Sequence, residues 1–140
     1  RRTDKFLINT FGTTQNAAPV DLGLFKKEIN DIANDYDYIF LATDCLQASK
    51  YMKDTYGKKL LMNMDAFRGS NTTSIHCNYK EVSGYKKGLD VIIDAYLLSR
   101  CKHLIRSSSN VSVVSLYINL DLTQTNLNVK YLNDDESSIL

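Results

Sequence analysis

Apolar residues first fall into a helical rhythm after the only proline, Pro19. Phe25, Ile29, Ile32 and Ala33 recur at i, i+4, i+7 and i+8, with Lys26, Lys27, Glu28 and Asp31 between them. That spacing predicts an amphipathic helix starting at Leu22. Residues 38–42, Tyr-Ile-Phe-Leu-Ala, are apolar without polar alternation, as in a parallel strand buried on both faces. Thr43 and Asp44 then predict a cap for a helix running to Tyr56, which Gly57 closes. A second strand is predicted over 59–62.

Residues 6–21 show no clean period and predict a loop. Residues 64–85, polar and carrying Gly69, Gly84 and Asn71-Thr72-Thr73, predict a second and longer one. A helix over 86–101, a strand over 102–106, a turn Ser107-Ser108-Ser109-Asn110 and a helix through Tyr117 follow. The helix over 86–101 is apolar nearly all round, with Val91, Leu98 and Cys101 on one side and Leu89, Ile93, Tyr96 and Leu97 on the other, which predicts burial. From Thr123 the chain turns polar and predicts a frayed tail. We therefore expect one folded domain over 1–122, whose ligand the site residues below suggest, and a polar tail over 123–140.

The order α-β-α-β-α-β-α implies an α/β fold, a Rossmann-like parallel sheet with flanking helices. Ligands in such sheets bind beyond the carboxyl ends of the strands, so candidate residues are sought there. Composition narrows the choices. A chain of 140 residues with 44% hydrophobic and 24% charged residues is expected to form one globular domain. A net charge of +1 supplies no field for nucleic acid or an anionic membrane. No apolar run approaches the roughly 18 residues of a membrane span, and no signal peptide is recognised. The opening Arg-Arg-Thr-Asp-Lys suggests a cut through a longer protein. Cys45, Cys77 and Cys101 are widely spaced and form no CxxC pair or Cys/His cluster, so no metal site is expected. Reduced thiols suit a cytoplasmic protein, and a Golgi-lumen protein with one disulfide is the alternative.

Ser108, Ser109 and Asn110 lie between a predicted strand and a helix N-terminus. Free backbone N–H groups, the positive end of the helix dipole and small hydroxyl side chains together suit a phosphate. A simple helix cap is the plainer reading, and the length of the polar run favours a ligand. Asp94, on the apolar helix, is either a structural acceptor or a reader of ligand N–H groups. Guanine, with adjacent N1–H and N2 amino donors, matches a carboxylate. Asp44 follows a strand and can cap, line a site, or both. Arg1 and Arg2 are paired cations whose guanidinium groups suit a diphosphate. His76 and His103 have no partner at triad spacing, and His103 reads as structural. The glycosylation sequons at Asn71 and Asn110 read as chance matches.

With these residues assembled, the chain resembles the carboxyl-terminal half of the alpha-1,6-fucosyltransferase family, which includes the nodulation fucosyltransferases. Arg1-Arg2-Thr3-Asp4-Lys5 resembles the family's His-x-Arg-Arg-x-Asp-Lys block. Residues 39–44, Ile-Phe-Leu-Ala-Thr-Asp, resemble its strand ending in Ala-Thr-Asp-Asp. Residues 90–110, with Ile93-Asp94, Leu97-Leu98-Ser99 and Ser108-Ser109-Asn110, resemble its helix-strand-Ser-Ser block. The resemblance implies the second domain of a GT-B glycosyltransferase, binding GDP-fucose and inverting the anomeric carbon without a metal or other cofactor. It also implies a glycan acceptor.

On that resemblance Arg1 and Arg2 hold the diphosphate and stabilise departing GDP. Ser108, Ser109 and Asn110 hold phosphate from the other side, Asp94 reads guanine and Asp44 lines the pocket. Three departures stand out. The histidine before the arginine pair is missing, Cys45 replaces the second aspartate, and Asn9 falls where some members carry an acidic base. Asp4 is the nearest remaining carboxylate. The alternative function is a non-catalytic α/β module that binds a nucleotide or phosphate.

Overall fold

The computed structural model describes residues 20–69 and 82–132. Helix α1 spans Leu22–Ile32, and Asp21 caps it by accepting the Gly23 N–H at 2.6 Å. A single 3-10 turn leads to strand β1, Ile39–Phe40. Helix α2 covers Leu46–Tyr56 and ends at Gly57, whose φ of 53° is the left-handed region that glycine tolerates best. Strand β2 is Leu60–Leu61 and helix α3 is Gly84–Ser99. Strand β3, His103–Arg106, leads to helix α4, Asn110–Ile118, then strand β4, Thr123–Asn126, and helix α5, Leu127–Leu132.

This is a mixed α/β fold in which every ladder among the described residues is parallel. β1 pairs with β2, and β3 pairs with β4, as two separate two-stranded sheets. A single continuous sheet, the expectation from the element order, is not what the described residues form. Ala95 and Leu98 of α3, Leu104 of β3, Val111 of α4 and Leu122 make the buried cluster, with Phe40 and Ala42 packed against it. Among the described residues the two sheets thus share a core without sharing a ladder.

Three expectations need correction. The chain from Thr123 is not a tail through 132: Thr123–Asn126 pairs residue for residue with His103–Arg106, and Leu127 is fully buried. Polar side chains hid this strand, because His103 and Arg106 on its neighbour take polar partners. His103 sits between Thr123 Oγ1 at 2.8 Å and Thr125 Oγ1 at 3.1 Å, and Arg106 Nε donates to Gln124 at 2.6 Å. α5 is further tied to α1 by Lys130, which donates to both carboxylate oxygens of buried Glu28 at 2.8 Å.

The second correction concerns α3, which is not buried all round. Tyr85, Ile92 and Tyr96 are 82%, 66% and 55% exposed, and with Leu89 they form one apolar stripe facing outward. Third, Asp44 is not the cap of α2. Cys45 is, its Sγ accepting the Ala48 N–H, while Thr43 Oγ1 accepts the Cys45 N–H at 3.2 Å. The turn begins one residue later than the polar pair suggests.

Candidate functional site

Parallel strands deliver their carboxyl ends to one edge, and here the chain leaves β1 toward Thr43 and leaves β3 at Ser107. A cleft of about 550 Å³ lies between the two sheets and runs to that edge. Asp94 from α3 and Ser109 and Ser112 from the start of α4 line it, together with Thr43 and Ser107. Its volume is in the range of small-ligand sites. A pocket of about 20 Å³ beside it is lined by Asp44, Asp94, Thr43 and Asp90. The two aspartates picked from sequence therefore border one space, and Asp94 borders both.

The serine turn owes its shape to its own hydrogen bonds. Ser109 Oγ accepts the Ser112 N–H at 3.3 Å, which caps α4. Ser112 Oγ donates within the turn, to the Ser107 and Ser109 carbonyls at 3.2 and 2.8 Å. Asn128, buried in α5, accepts the Ser108 N–H at 2.6 Å. Of the first-turn amides that a helix leaves without an intrahelical acceptor, that of Ser112 donates to the Ser109 hydroxyl, and those of Asn110 and Val111 come before it. An anion at this end would meet those two amides, the dipole of α4 and the serine hydroxyls. Ser109 lines the cleft, whereas Ser108 and exposed Asn110 stand beside it.

Asp90, one turn before Asp94, had no role in the sequence reading. It is buried, takes an ion pair from Lys86 and accepts the Phe67 N–H at 3.1 Å. Lys86 also donates to the Asp65 carbonyl at 2.8 Å, and Arg68 donates to the Asn63 and Ala66 carbonyls at 2.7 and 3.0 Å. These contacts fold residues 63–69 back against α3. Gly69 then donates to the Asp44 carbonyl at 2.9 Å and accepts from Leu46 at 3.0 Å, which fixes the backbone on both sides of Asp44. Asp44 itself is 5% exposed, and its backbone is held at the pocket by these contacts to Gly69 rather than by a cap.

Arg106 was also missed. It lines the cleft near its carboxyl end, and burial lowers its pKa from the ordinary value. The signal was an arginine closing an apolar strand just before the serine run. Cys101 lines the cleft as well, and burial raises its thiol pKa, which disfavours the nucleophilic thiolate. For His103 burial lowers the pKa and the charge of Glu28 partly opposes this, in keeping with a structural role between two threonines.

Arg1, Arg2 and Asp4 lie outside the described residues, as do His76, Asn71 and Cys77. Among the described residues no group of three or more His, Cys, Asp or Glu side chains is placed to hold a metal ion. None of the described helices is long and apolar enough to cross a membrane. No protein-family model, curated protein or solved structure matches the chain.

Proposed function

We propose that the chain is the donor-binding domain of an inverting glycosyltransferase of GT-B, Rossmann-like design, transferring fucose from GDP-fucose to a glycan acceptor. The observation that carries this reading is the meeting of Asp94 with Ser109 and the α4 N-terminus on one cleft at the carboxyl edge of parallel strands. A carboxylate and an anion-favouring helix end are the two recognition elements that a guanine nucleotide needs. Asp94 takes the guanine N1–H and N2 amino donors. The amides of Asn110 and Val111, with Ser108 and Ser109, take phosphate oxygens. Asp44 shapes the wall beside Asp94, and Arg106 adds a cation on the same cleft. Arg1 and Arg2 supply the opposing charge on the leaving diphosphate, and Asp4 orients them. A reducing compartment suits this chain, because Cys45 serves as a thiol cap that also donates to Gln47.

Calorimetric titration of the chain with GDP, ADP and UDP tests the reading. GDP is expected to bind most tightly, and Asp94→Ala to weaken it at least about tenfold, the loss of one or two charge-assisted hydrogen bonds. Equal binding of all three nucleotides, or an Asp94→Ala protein that binds GDP normally, refutes it.

One observation favours the second reading, a non-catalytic nucleotide or phosphate module. The Ser108 N–H and the Ser109 hydroxyl already have protein partners in Asn128 and Ser112, so the turn holds its shape with no reaction to serve. Transfer of fucose from GDP-fucose to a glycan by the chain excludes that reading.

A further inference from the structure

The apolar stripe that α3 turns outward continues onto α4. The two helices pack along each other, with Ala95, Ser99, Val111 and Ser115 all buried. Asn119, just past α4, donates to the Ser99 carbonyl at 2.9 Å and ties the two carboxyl ends together. Helices packed this closely present their outer faces side by side as one surface.

Helix α4 carries its serines on the inside and its apolar residues on the outside. The buried Ser115 hydroxyl donates to the Val111 carbonyl at 2.9 Å, and that of Ser112 to the Ser109 carbonyl at 2.8 Å. Outward the helix shows Val114, Tyr117 and Ile118, which are 46%, 77% and 51% exposed, and it contains no charged residue. A surface helix turns polar residues to water, whereas one that is apolar all round is buried. At nine residues α4 is too short to cross a bilayer, so the cover it calls for is protein.

The size of the face fits that cover. Weighted by side-chain areas of up to about 250 Å² for an aromatic residue, the exposed fractions of Tyr85, Leu89, Ile92 and Tyr96 with the outward residues of α4 leave roughly 800 Å² of surface. The largest apolar patch on an ordinary monomer is about 300–600 Å². Each partner in a stable protein complex contributes about 800 Å².

The α3 stripe identifies the partner. Tyr85, Leu89, Ile92 and Tyr96 follow one another at spacings of four, three and four residues, the seam of a helix that packs on a second helix. The stripe reads alike in both directions: tyrosine, aliphatic, aliphatic, tyrosine. Turned end for end upon itself, it sets Tyr85 opposite Tyr96 and Leu89 opposite Ile92. A two-fold contact requires this self-complementarity. No like charges meet across it, because neither the stripe nor α4 carries any. A charge-free centre rich in tyrosine is also the composition of homodimer interfaces.

We propose that two copies of this chain pair about a two-fold axis passing between Leu89 and Ile92. Helix α3 of one copy lies antiparallel to α3 of the other, and Val114, Tyr117 and Ile118 flank the seam.

Sedimentation equilibrium of the 140-residue chain at concentrations up to about 100 μM tests the pairing, and twice the monomer mass is expected. Ile92→Asp places a charge at the centre of the seam and is expected to weaken association at least about a hundredfold. Its urea midpoint should stay that of the native chain, because Ile92 is exposed in the single copy. Tyr85→Glu is read in the same way if Ile92→Asp does not fold. A photoreactive p-benzoylphenylalanine at Tyr96 is expected to cross-link to residues 84–99 of a second molecule. A monomer at the highest concentration overturns the proposal, and so does a dimer that the charged variants leave intact. A cross-link into the same chain, or to any part of a second molecule other than α3, overturns it as well. Mass that keeps growing beyond two copies refutes the closed two-fold pair.

Discussion

Asn128→Ala probes the part of the molecule whose polar sequence conceals its structure. The Asn128 side chain is 6% exposed and its Oδ1 accepts the Ser108 N–H at 2.6 Å, so it pins α5 to the serine turn. Truncation removes an acceptor whose net worth is about 1 kcal/mol and leaves a donor whose lost partner costs about 1–3 kcal/mol. Ser108 is half-buried, so water satisfies its amide in part and the total settles near 2 kcal/mol. Urea denaturation followed by circular dichroism reads this as a midpoint about 1 M lower with an unchanged slope. A loss below about 0.5 kcal/mol, within the range of ordinary surface changes, means that residues 123–132 are not docked as described and refutes the reasoning.

Lys130→Ala is expected to cost about 1–2 kcal/mol in the same assay, because Glu28 is buried while Lys130 is half exposed, which discounts the full penalty of a buried pair. An unchanged midpoint would show that Glu28 finds another cation. The His103 pKa is lowered in the fold, so between pH 7.5 and 5 the unfolded chain binds more protons at this site. The stability it protects is complete above the unfolded value near 6.5 and is lost as pH falls through the folded one. Urea midpoints measured across that range should fall less steeply in His103→Gln than in the native chain, and identical slopes would contradict the assignment. Gly57→Ala should lose roughly 1–3 kcal/mol from the positive-φ backbone alone, since nothing lies within 4 Å of the added carbon. A stabilised variant would rule out the positive φ.

Much of the local structure was legible because it follows from period and caps. The stripe Phe25, Ile29 and Ile32 became α1, Gly57 ended α2, and the Ser109 cap began α4 as the serine run suggested. β4 was not legible. Its sequence, Thr-Gln-Thr-Asn, has no apolar alternation, and it earns its place through side-chain pairs with His103 and Arg106, twenty residues away for His103 and Thr123. Cys45 in place of Asp44 as cap was equally hidden, because a thiol is a weak acceptor that local preference ranks below a carboxylate.

The candidate site divides in the same way. Asp94 and the serine turn could be picked out singly, since an aspartate on an apolar helix and a polar run before a helix are local signals. Asp90 could not, because its partner Phe67 N–H comes from a loop 23 residues earlier. By itself, then, the sequence determined the α/β class, most element boundaries and the residue types available at the strand ends. Only the tertiary structure decided that the parallel strands form two pairs around a cleft, that β4 completes one pair, and that Asp44 and Asp94 share a wall. Helical period and capping are written within a few residues. Strand pairing and the meeting of side chains depend on contacts far apart in the chain, which no local pattern encodes.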